Sequence, residues 1–509
     1  MSRTSGWRRA AVGALLVSVG TLAGPGQEVA GAGPADAAPD PVTTGDKASL
    51  GQRIDAILAD ETVLDGARIG VLAVDVTSGD VLYQRAADDR FNIASNVKMI
   101  TTAAALHLLG PGHRFRTVLY ADKVDRGTIP GDLYVRGGGD PSLGTYDLLA
   151  LADDLVDRGI RSIRGGIVVD ASLFDDQNLP PKFDAQPKEQ ASFRAPIAAL
   201  SLNFNAVAIV VRPNPAGVGP ATVVIDPPND YVTLTGQVQT VASGRNRVRI
   251  ETVEEDGRFE LRIGGQLPAS RGTRRYRRRV ADPIAYAASA LRHALEARGI
   301  RVRKKQITAA QVPDDAIPLA TRASPPLAEL VRGMGKYSNN FVAEMLLKAV
   351  GTVDLPEPRP ATWRDGLAAV RNFLGQTVGI DATSLRYENG SGLFDASDAS
   401  PRQMVTILSH AARDFRYGPD LVSSLSIGGV DGTLRKRMRE SPAAGLVRAK
   451  TGTLATVAAL SGFVAVDARV PIAFAVFVND QPDSYKAKRA ARRTIDRIAG
   501  ALARFLGAP

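Results

Sequence analysis

The sequence predicts one α/β domain interrupted by a long, mostly β insertion. Three observations predict it. A helix, a hairpin and a second helix open the folded chain over residues 48–116. Further helices, adjacent strands and a last helix close it over residues 320–509. Between them, residues 117–319 change texture to short Val/Ile/Tyr-rich runs separated by turns, as β modules do. Ends that complete each other in this way belong to one domain with an insertion, not to a row of separate beads.

Each element has a local reason. Leu50–Ala59 follows a helical pattern. Ile69–Val76 and Val81–Tyr83 are β-rich runs joined by the turn Thr77-Ser78-Gly79-Asp80, which makes a hairpin. The Ala- and Leu-rich stretch Lys98–Leu109 is a helix stopped by Gly110-Pro111-Gly112. Inside the insertion the strand-like runs include Leu133–Val135, Gly166–Asp170, Ala206–Val211, Val223–Ile225 and Val248–Glu251. One amphipathic helix, Tyr146–Arg158, interrupts them. Helices return at Leu327–Met334, Asn340–Val350 and Trp363–Gly375. Ala458–Val466 and Ile472–Val478, separated by Asp467-Ala468-Arg469, read as neighbouring antiparallel strands. The basic helix Tyr485–Leu506 places Ile495, Ile498, Leu502 and Phe505 at helical spacing, a face suited to packing on a sheet.

Composition removes several functions. The chain has 509 residues, 44% hydrophobic and 23% charged, enough for a large core and not for disorder throughout. Cysteine is absent, which excludes thiol nucleophiles, disulfides and Cys-ligated metal sites. The four histidines, His107, His113, His293 and His410, have no compact metal-binding spacing, so no metal is expected. Arg3, Arg8 and Arg9 precede the apolar run Ala10–Ala23, which is too short to span a bilayer. Ala35-Asp36-Ala37-Ala38 then offers a cleavage site, so residues 1–38 read as an export signal, with an uncleaved N-terminal anchor as the alternative, and 39–47 as a flexible lead-in. A net charge of +10 suits nucleic acid, an anionic envelope or simply an Arg-rich surface; for a protein exported to the periplasm or cell envelope no nucleic-acid partner is expected.

Three short motifs carry the chemistry. Ser95-Asn96-Val97-Lys98 opens a helix, and residues i and i+3 share a helical face. The Lys98 amine therefore reaches the Ser95 hydroxyl, which is a poor nucleophile until a neighbouring base takes its proton. Ser338-Asn339-Asn340 precedes another helix; Ser338 is placed for proton relay and Asn340 for holding substrate. Lys450-Thr451-Gly452-Thr453 combines a cation, two hydroxyls and a glycine that permits close backbone approach, which suits a peptide carboxylate. Singly, each has a plain alternative: a helix cap for the first two, a polar strand edge for the third.

Together and in this order the motifs resemble the S-x-x-K, Ser/Asn and K-T-G set of penicillin-binding proteins and β-lactamases. The resemblance extends to Phe91–Ala94, Tyr134–Pro141, Ser201–Asn205, Lys336–Asn340, Asn389–Leu393 and Asp431–Leu434. It covers most of residues 48–507. Ser95 and Ser338 are 243 residues apart, as in class C low-molecular-mass penicillin-binding proteins, the D-alanyl-D-alanine carboxypeptidase/endopeptidases, and unlike compact β-lactamases. Asn96 and Asn339 stand where relatives have Thr and Asp, positions given no chemistry.

The resemblance implies a transpeptidase/β-lactamase-like domain, an antiparallel sheet flanked by helices, over 48–116 and 320–509. Two smaller domains are implied in the insertion, with an α/β module of about 144–192 nested in a β-rich one. It also implies Ser95 as nucleophile and Lys98 as general base, with Ser338, Asn340 and Lys450 catalytic. Thr451, Gly452 and Thr453 would bind substrate, and the backbone N–H groups of Ser95 and Thr453 would form an oxyanion hole. No cofactor is required. The implied substrates are peptidoglycan stem peptides or cross-links, with β-lactams as covalent inhibitors. A β-lactamase and a non-catalytic wall-binding scaffold are the alternatives. Arg271, Arg274, Arg275 and Arg277–Arg279 form a dense cationic run, plainly read as a solvated loop and otherwise as a contact for wall polymer. The basic closing helix has a similar second reading, as a membrane-surface contact.

Overall fold

The computed structural model describes residues 44–508, apart from 188, 256–257 and 468–469. The export signal and the lead-in up to residue 43 lie outside the described residues. The rest of the lead-in is already helical, because the first helix runs Thr44–Ala59.

Six antiparallel strands form the main sheet, in the order Val81–Arg85, Arg68–Asp75, Ile472–Asn479, Ala458–Val464, Val447–Thr453 and Ser426–Ile427. Strands 458–464 and 472–479 are buried along their whole length, since helices cover both faces. Alternation decides which residue meets which layer. Leu72, Val74, Ala473, Ala475 and Phe477 join the core shared with helices Val97–Leu109, Leu327–Tyr337, Asn340–Val350 and Pro401–Arg413. The other face is covered by Thr44–Ala59 and the closing helix Tyr485–Phe505, which pack on each other. Small residues at 487, 490, 491 and 499 allow that close approach, with Ile495, Ile498 and Leu502 buried beside them.

A second hydrophobic cluster lies within residues 119–320. Its largest sheet has five strands, in the order Ile307–Ala309, Ile167–Asp170, Leu133–Arg136, Arg116–Ala121 and Ile317–Ala323. This corrects the nesting expected from sequence. Residues 144–192 are not a separate module, because Ile167–Asp170 pairs in parallel with strands on either side of it in the chain. The stretch that supplies sheets of its own is 206–279, with three sheets of three strands.

Three further helices depart from expectation. Pro283–Ala297 lies in the insertion, where only one helix was expected. Its start is well signalled: Asp282 accepts the N–H groups of Ile284 and Ala285, and Pro283 occupies the first turn. Pro401–Arg413 and Gly418–Ser424 were also unexpected, the former capped by Ser400 with Gln403 in a capping box. The arginine run is not a loop: Arg274–Arg279 is a strand paired with Ala206–Arg212. Arg275 pairs there with Asp226 and Arg279 with Glu254. Among the described residues no helix is long and apolar enough to cross a membrane.

Candidate active site

The short strand Phe91–Asn92 leads into a single 3-10 turn, Ala94–Asn96, and then the helix Val97–Leu109. Asn92 accepts the N–H of Ala94 at 2.8 Å, and Asn479 from the main sheet accepts the N–H of Asn92 at 2.7 Å. Ala94 is held at φ 45°, a left-handed conformation that a non-glycine residue adopts only where its surroundings impose it. Ser95 is thus presented, half-buried, at the mouth of a helix whose Lys98 is buried.

Lys98 Nζ contacts three oxygens. Ser95 Oγ lies at 3.0 Å, Asn340 Oδ1 at 2.8 Å and the Ser391 carbonyl at 2.7 Å. The last two are acceptors only. A neutral amine has two hydrogens to give them and one lone pair left, which faces Ser95.

Ser338 ends the helix Leu327–Tyr337 in a left-handed conformation, φ 56° and ψ 42°. The cap of the next helix is Asn339, whose side chain accepts the Val342 N–H at 3.2 Å. Capping therefore falls to the middle residue of the motif and leaves Ser338 to meet Lys450 and Asn340 to meet Lys98. Asn340 Nδ2 reaches the Phe193 carbonyl of the insertion at 3.4 Å. Lys450, buried on the strand Val447–Thr453, donates to Ser338 Oγ and to the Thr451 carbonyl, both at 2.9 Å.

Gly452 also has a packing role. A Cβ built there would stand 2.7 Å from Asn96 Nδ2 and 2.7 Å from the Ile93 carbonyl. The close approach that glycine permits is between this strand and the turn carrying Ser95. Thr453 is the exposed end of the strand, opposite Ala458.

The charges are arranged against ordinary ionisation. Burial, then the positive charge of Lys450, pulls the Lys98 ammonium well below its usual range, with Glu344 opposing. Burial brings Lys450 down to about 7. A depressed lysine beside a serine hydroxyl is what a general base requires near neutral pH.

Comparison with known proteins gives the family of the chain. The model of the D-Ala-D-Ala carboxypeptidase 3 (S13) family matches residues 50–502. The chain belongs to that family. The D-alanyl-D-alanine carboxypeptidase of Actinomadura sp. (strain R39) is 35% identical over 432 residues, 82% of this chain and 78% of that protein. DacB of Haemophilus influenzae is 28% identical, over 82% and 86% of the two chains. The crystal structure of the H. influenzae protein, penicillin binding protein 4, matches with a TM-score of 0.72 at 26% identity. The match covers 88% of this chain and 98% of that one. A second structure of that protein, complexed with a β-lactam, matches with a TM-score of 0.68 at 25% identity. This carboxypeptidase is therefore a low-molecular-mass penicillin-binding protein with the fold its motifs implied.

All five residues expected to be catalytic meet in this carboxypeptidase. Ser95, Lys98 and Asn340 form one hydrogen-bonded group, and Ser338 and Lys450 form another. Three neighbours were missed. Ser391 supplies a carbonyl to Lys98. Glu344 is buried behind it. Thr433 accepts the Thr451 hydroxyl at 2.9 Å. Ser391 and Thr433 sit in segments whose family resemblance was visible, without any sign of what they touch. Glu344 is four residues past Asn340, hence on its helical face, and that spacing was the available signal.

Proposed function

We propose that this carboxypeptidase is an exported enzyme that acts on peptidoglycan stem peptides, through an acyl-enzyme on Ser95. The proton of Ser95 Oγ passes to Lys98 Nζ as Oγ attacks the carbonyl carbon between the two D-alanines. The carbonyl becomes a tetrahedral oxyanion, facing the backbone N–H groups of Ser95 and Thr453. As the C–N bond breaks, Ser338 gives its hydroxyl proton to the departing D-alanine amine and takes up from Lys98 the proton that left Ser95, with Lys450 supporting the relay. Asn340 holds the acyl-side amide, and Thr451 and Thr453 hold the terminal carboxylate. Water then attacks the ester carbonyl; Lys98, neutral again, takes the water's proton and passes it to Ser95 Oγ as the ester C–O bond breaks and the shortened peptide leaves.

One observation carries this reading: Lys98 Nζ lies 3.0 Å from Ser95 Oγ while two groups that can only accept, Asn340 Oδ1 and the Ser391 carbonyl, stand ready for the two hydrogens of a neutral amine, which leaves its lone pair for Ser95. β-Lactams present a similar carbonyl and acylate the same oxygen; the β-lactam complex of the H. influenzae relative supports that part. Cross-link cleavage, the endopeptidase reaction, uses the same steps on a longer leaving group. Export rests on the composition of residues 1–38.

Intact-mass analysis after incubation with penicillin tests the reading. The wild type gains one penicilloyl group and Ser95→Ala gains none. An adduct retained by Ser95→Ala overturns the nucleophile. Absence of any adduct with intact drug points to the scaffold alternative, and rapid drug turnover to a β-lactamase.

A further inference from the structure

The helix Asn340–Val350 carries a second functional-looking group one turn beyond Asn340. Glu344 is fully buried, and none of the steps above uses it. Carboxylates are almost never buried without partners, and here the partners are specific. Glu344 Oε2 accepts the Gly390 N–H at 3.0 Å, and Oε1 accepts the Ser391 N–H at 2.9 Å. Both donors belong to the segment Asn389–Gly392, which has no regular structure of its own.

Other groups clamp the same segment from the opposite side. Thr101, on the Lys98 helix, gives its hydroxyl to the Gly390 carbonyl at 2.8 Å. Gly390 lies so close to the Glu344 helix that an added Cβ would come within 2.6 Å of the Ala343 carbonyl. The Ser391 carbonyl, on the far side of the residue whose N–H Glu344 binds, receives an N–H of Lys98 at 2.7 Å. Glu344 thus reaches Lys98 through one residue.

We propose that Glu344 is a positioning residue for the Ser95–Lys98 pair: its carboxylate fixes two consecutive loop amides, and through them the Ser391 carbonyl that aims the Lys98 lone pair at Ser95. The proposal rests on Lys98 acting as the base. The titratable groups facing Glu344 are Lys98 and the Tyr387 hydroxyl, and Lys98 in turn faces Lys450. Burial pushes the Glu344 carboxyl up to about 7, against its hydrogen bonds to the loop and the charge of Lys98. Lys98 and Glu344 therefore titrate as a coupled pair. Removing the negative charge lowers Lys98 further and moves the acid limb of acylation to lower pH.

The test measures acylation by a fluorescent penicillin across pH for wild type, Glu344→Gln, Glu344→Asp and Ser95→Ala. A glutamine oxygen accepts from one loop amide while its NH₂ confronts the other. In Glu344→Gln the first-order acylation constant is expected to fall about tenfold to a hundredfold, with half-saturation little changed and the acid limb displaced downward. Glu344→Asp keeps the charge and loses the reach, so its rate falls while the limb stays. Wild-type rate and limb in Glu344→Gln would overturn the proposal. So would lowered melting temperatures in both variants with neither rate nor limb altered. If the variants do not fold, hydrogen exchange in the wild type decides: slow exchange at Gly390 and Ser391 supports the clamp, and exchange at free-peptide rates overturns it. Acylation of Ser95→Ala, or none of the wild type, would instead mark failure of the Ser95 reading.

Discussion

Gly452 and Ile93 are in backbone contact: a methyl group on the glycine Cα would stand 2.7 Å from the isoleucine carbonyl oxygen. The strand bearing Lys450 is therefore seated directly on the turn that carries Ser95, and the distance between the two halves of the site is set by the absence of one carbon atom.

Gly452→Ala is expected to force the strand and the turn apart. Overpacking a fully occupied site of this kind destabilises by about 1–3 kcal/mol, and a displacement of the reacting groups by about 1 Å slows acylation by about a hundredfold. Urea unfolding and penicillin acylation check both. An alanine variant acylating at the wild-type rate would show that the contact yields freely.

Lys98→Met keeps most of the buried volume and removes the base. The acylation rate is expected to drop about a thousandfold, the usual contribution of a positioned general base, while the fold persists. Stopped-flow acylation with circular dichroism measures this. A rate within a few-fold of wild type would remove Lys98 from the mechanism.

Lys450 links pH to stability. Burial holds it at about 7, below its ordinary 10.5. Between those values the unfolded chain binds the proton and the folded chain does not, so wild-type stability gains from rising pH in that window. Lys450→Met lacks this dependence. Its stability relative to wild type is expected to be highest below about pH 7 and to decline toward pH 10.5, with activity lost throughout. Melting temperatures across that range decide; a constant difference between the two proteins contradicts the sign.

Thr433→Val removes the oxygen that accepts the Thr451 hydroxyl at 2.9 Å. Thr451 loses its orientation, so KM for a D-Ala-D-Ala peptide is expected to rise about fivefold, the weight of one ordinary hydrogen bond, with a smaller effect on kcat. Thr433→Ser restores KM. Equal KM in the valine variant and wild type would separate Thr433 from substrate binding.

Lys348, fully buried near the end of the helix that starts at Asn340, pairs with Asp175 of the insertion at 2.5 Å. It also donates to the Gln177 carbonyl at 3.0 Å and lies over the rings of Trp363 and Phe174. Asp175→Asn leaves a buried cation with incomplete partners and is expected to destabilise by about 3 kcal/mol. The double variant Asp175→Asn, Lys348→Met is expected to recover part of that loss, as measured by urea unfolding; no recovery would assign the effect to packing alone.

How much of this was legible depended on the range of each interaction. The Ser95–Lys98 contact follows from a spacing of three along one helix, and the strands 458–464 and 472–479 from runs of apolar residues. Ser391 and Glu344 are 47 residues apart in sequence, so nothing local joins them. The strand Arg274–Arg279 was hidden because its arginines obscure the alternation that would mark it; pairing with Ala206–Arg212 and anions at 226 and 254 make it a strand. The nesting of the insertion has a different cause: the parallel partners of Ile167–Asp170 come from residues 133–136 and 307–309, a pairing that no local pattern announces. Helix Pro283–Ala297, by contrast, is announced locally by Asp282-Pro283, a cap followed by a proline in the first turn.

The main sheet pairs Arg68–Asp75 with Ile472–Asn479, and the latter separates it from Ala458–Val464. A growing chain therefore makes its serine and lysine early and waits for its sheet until residue 479 has been synthesised. The cluster within residues 119–320 has all its members well before then. Joining residues so far apart in sequence is entropically demanding, and a prior collapse of the intervening stretch shortens the effective loop. By chain order alone, Ser95 and Lys98 are synthesised long before the strand of Lys450 and the sheet that seats it.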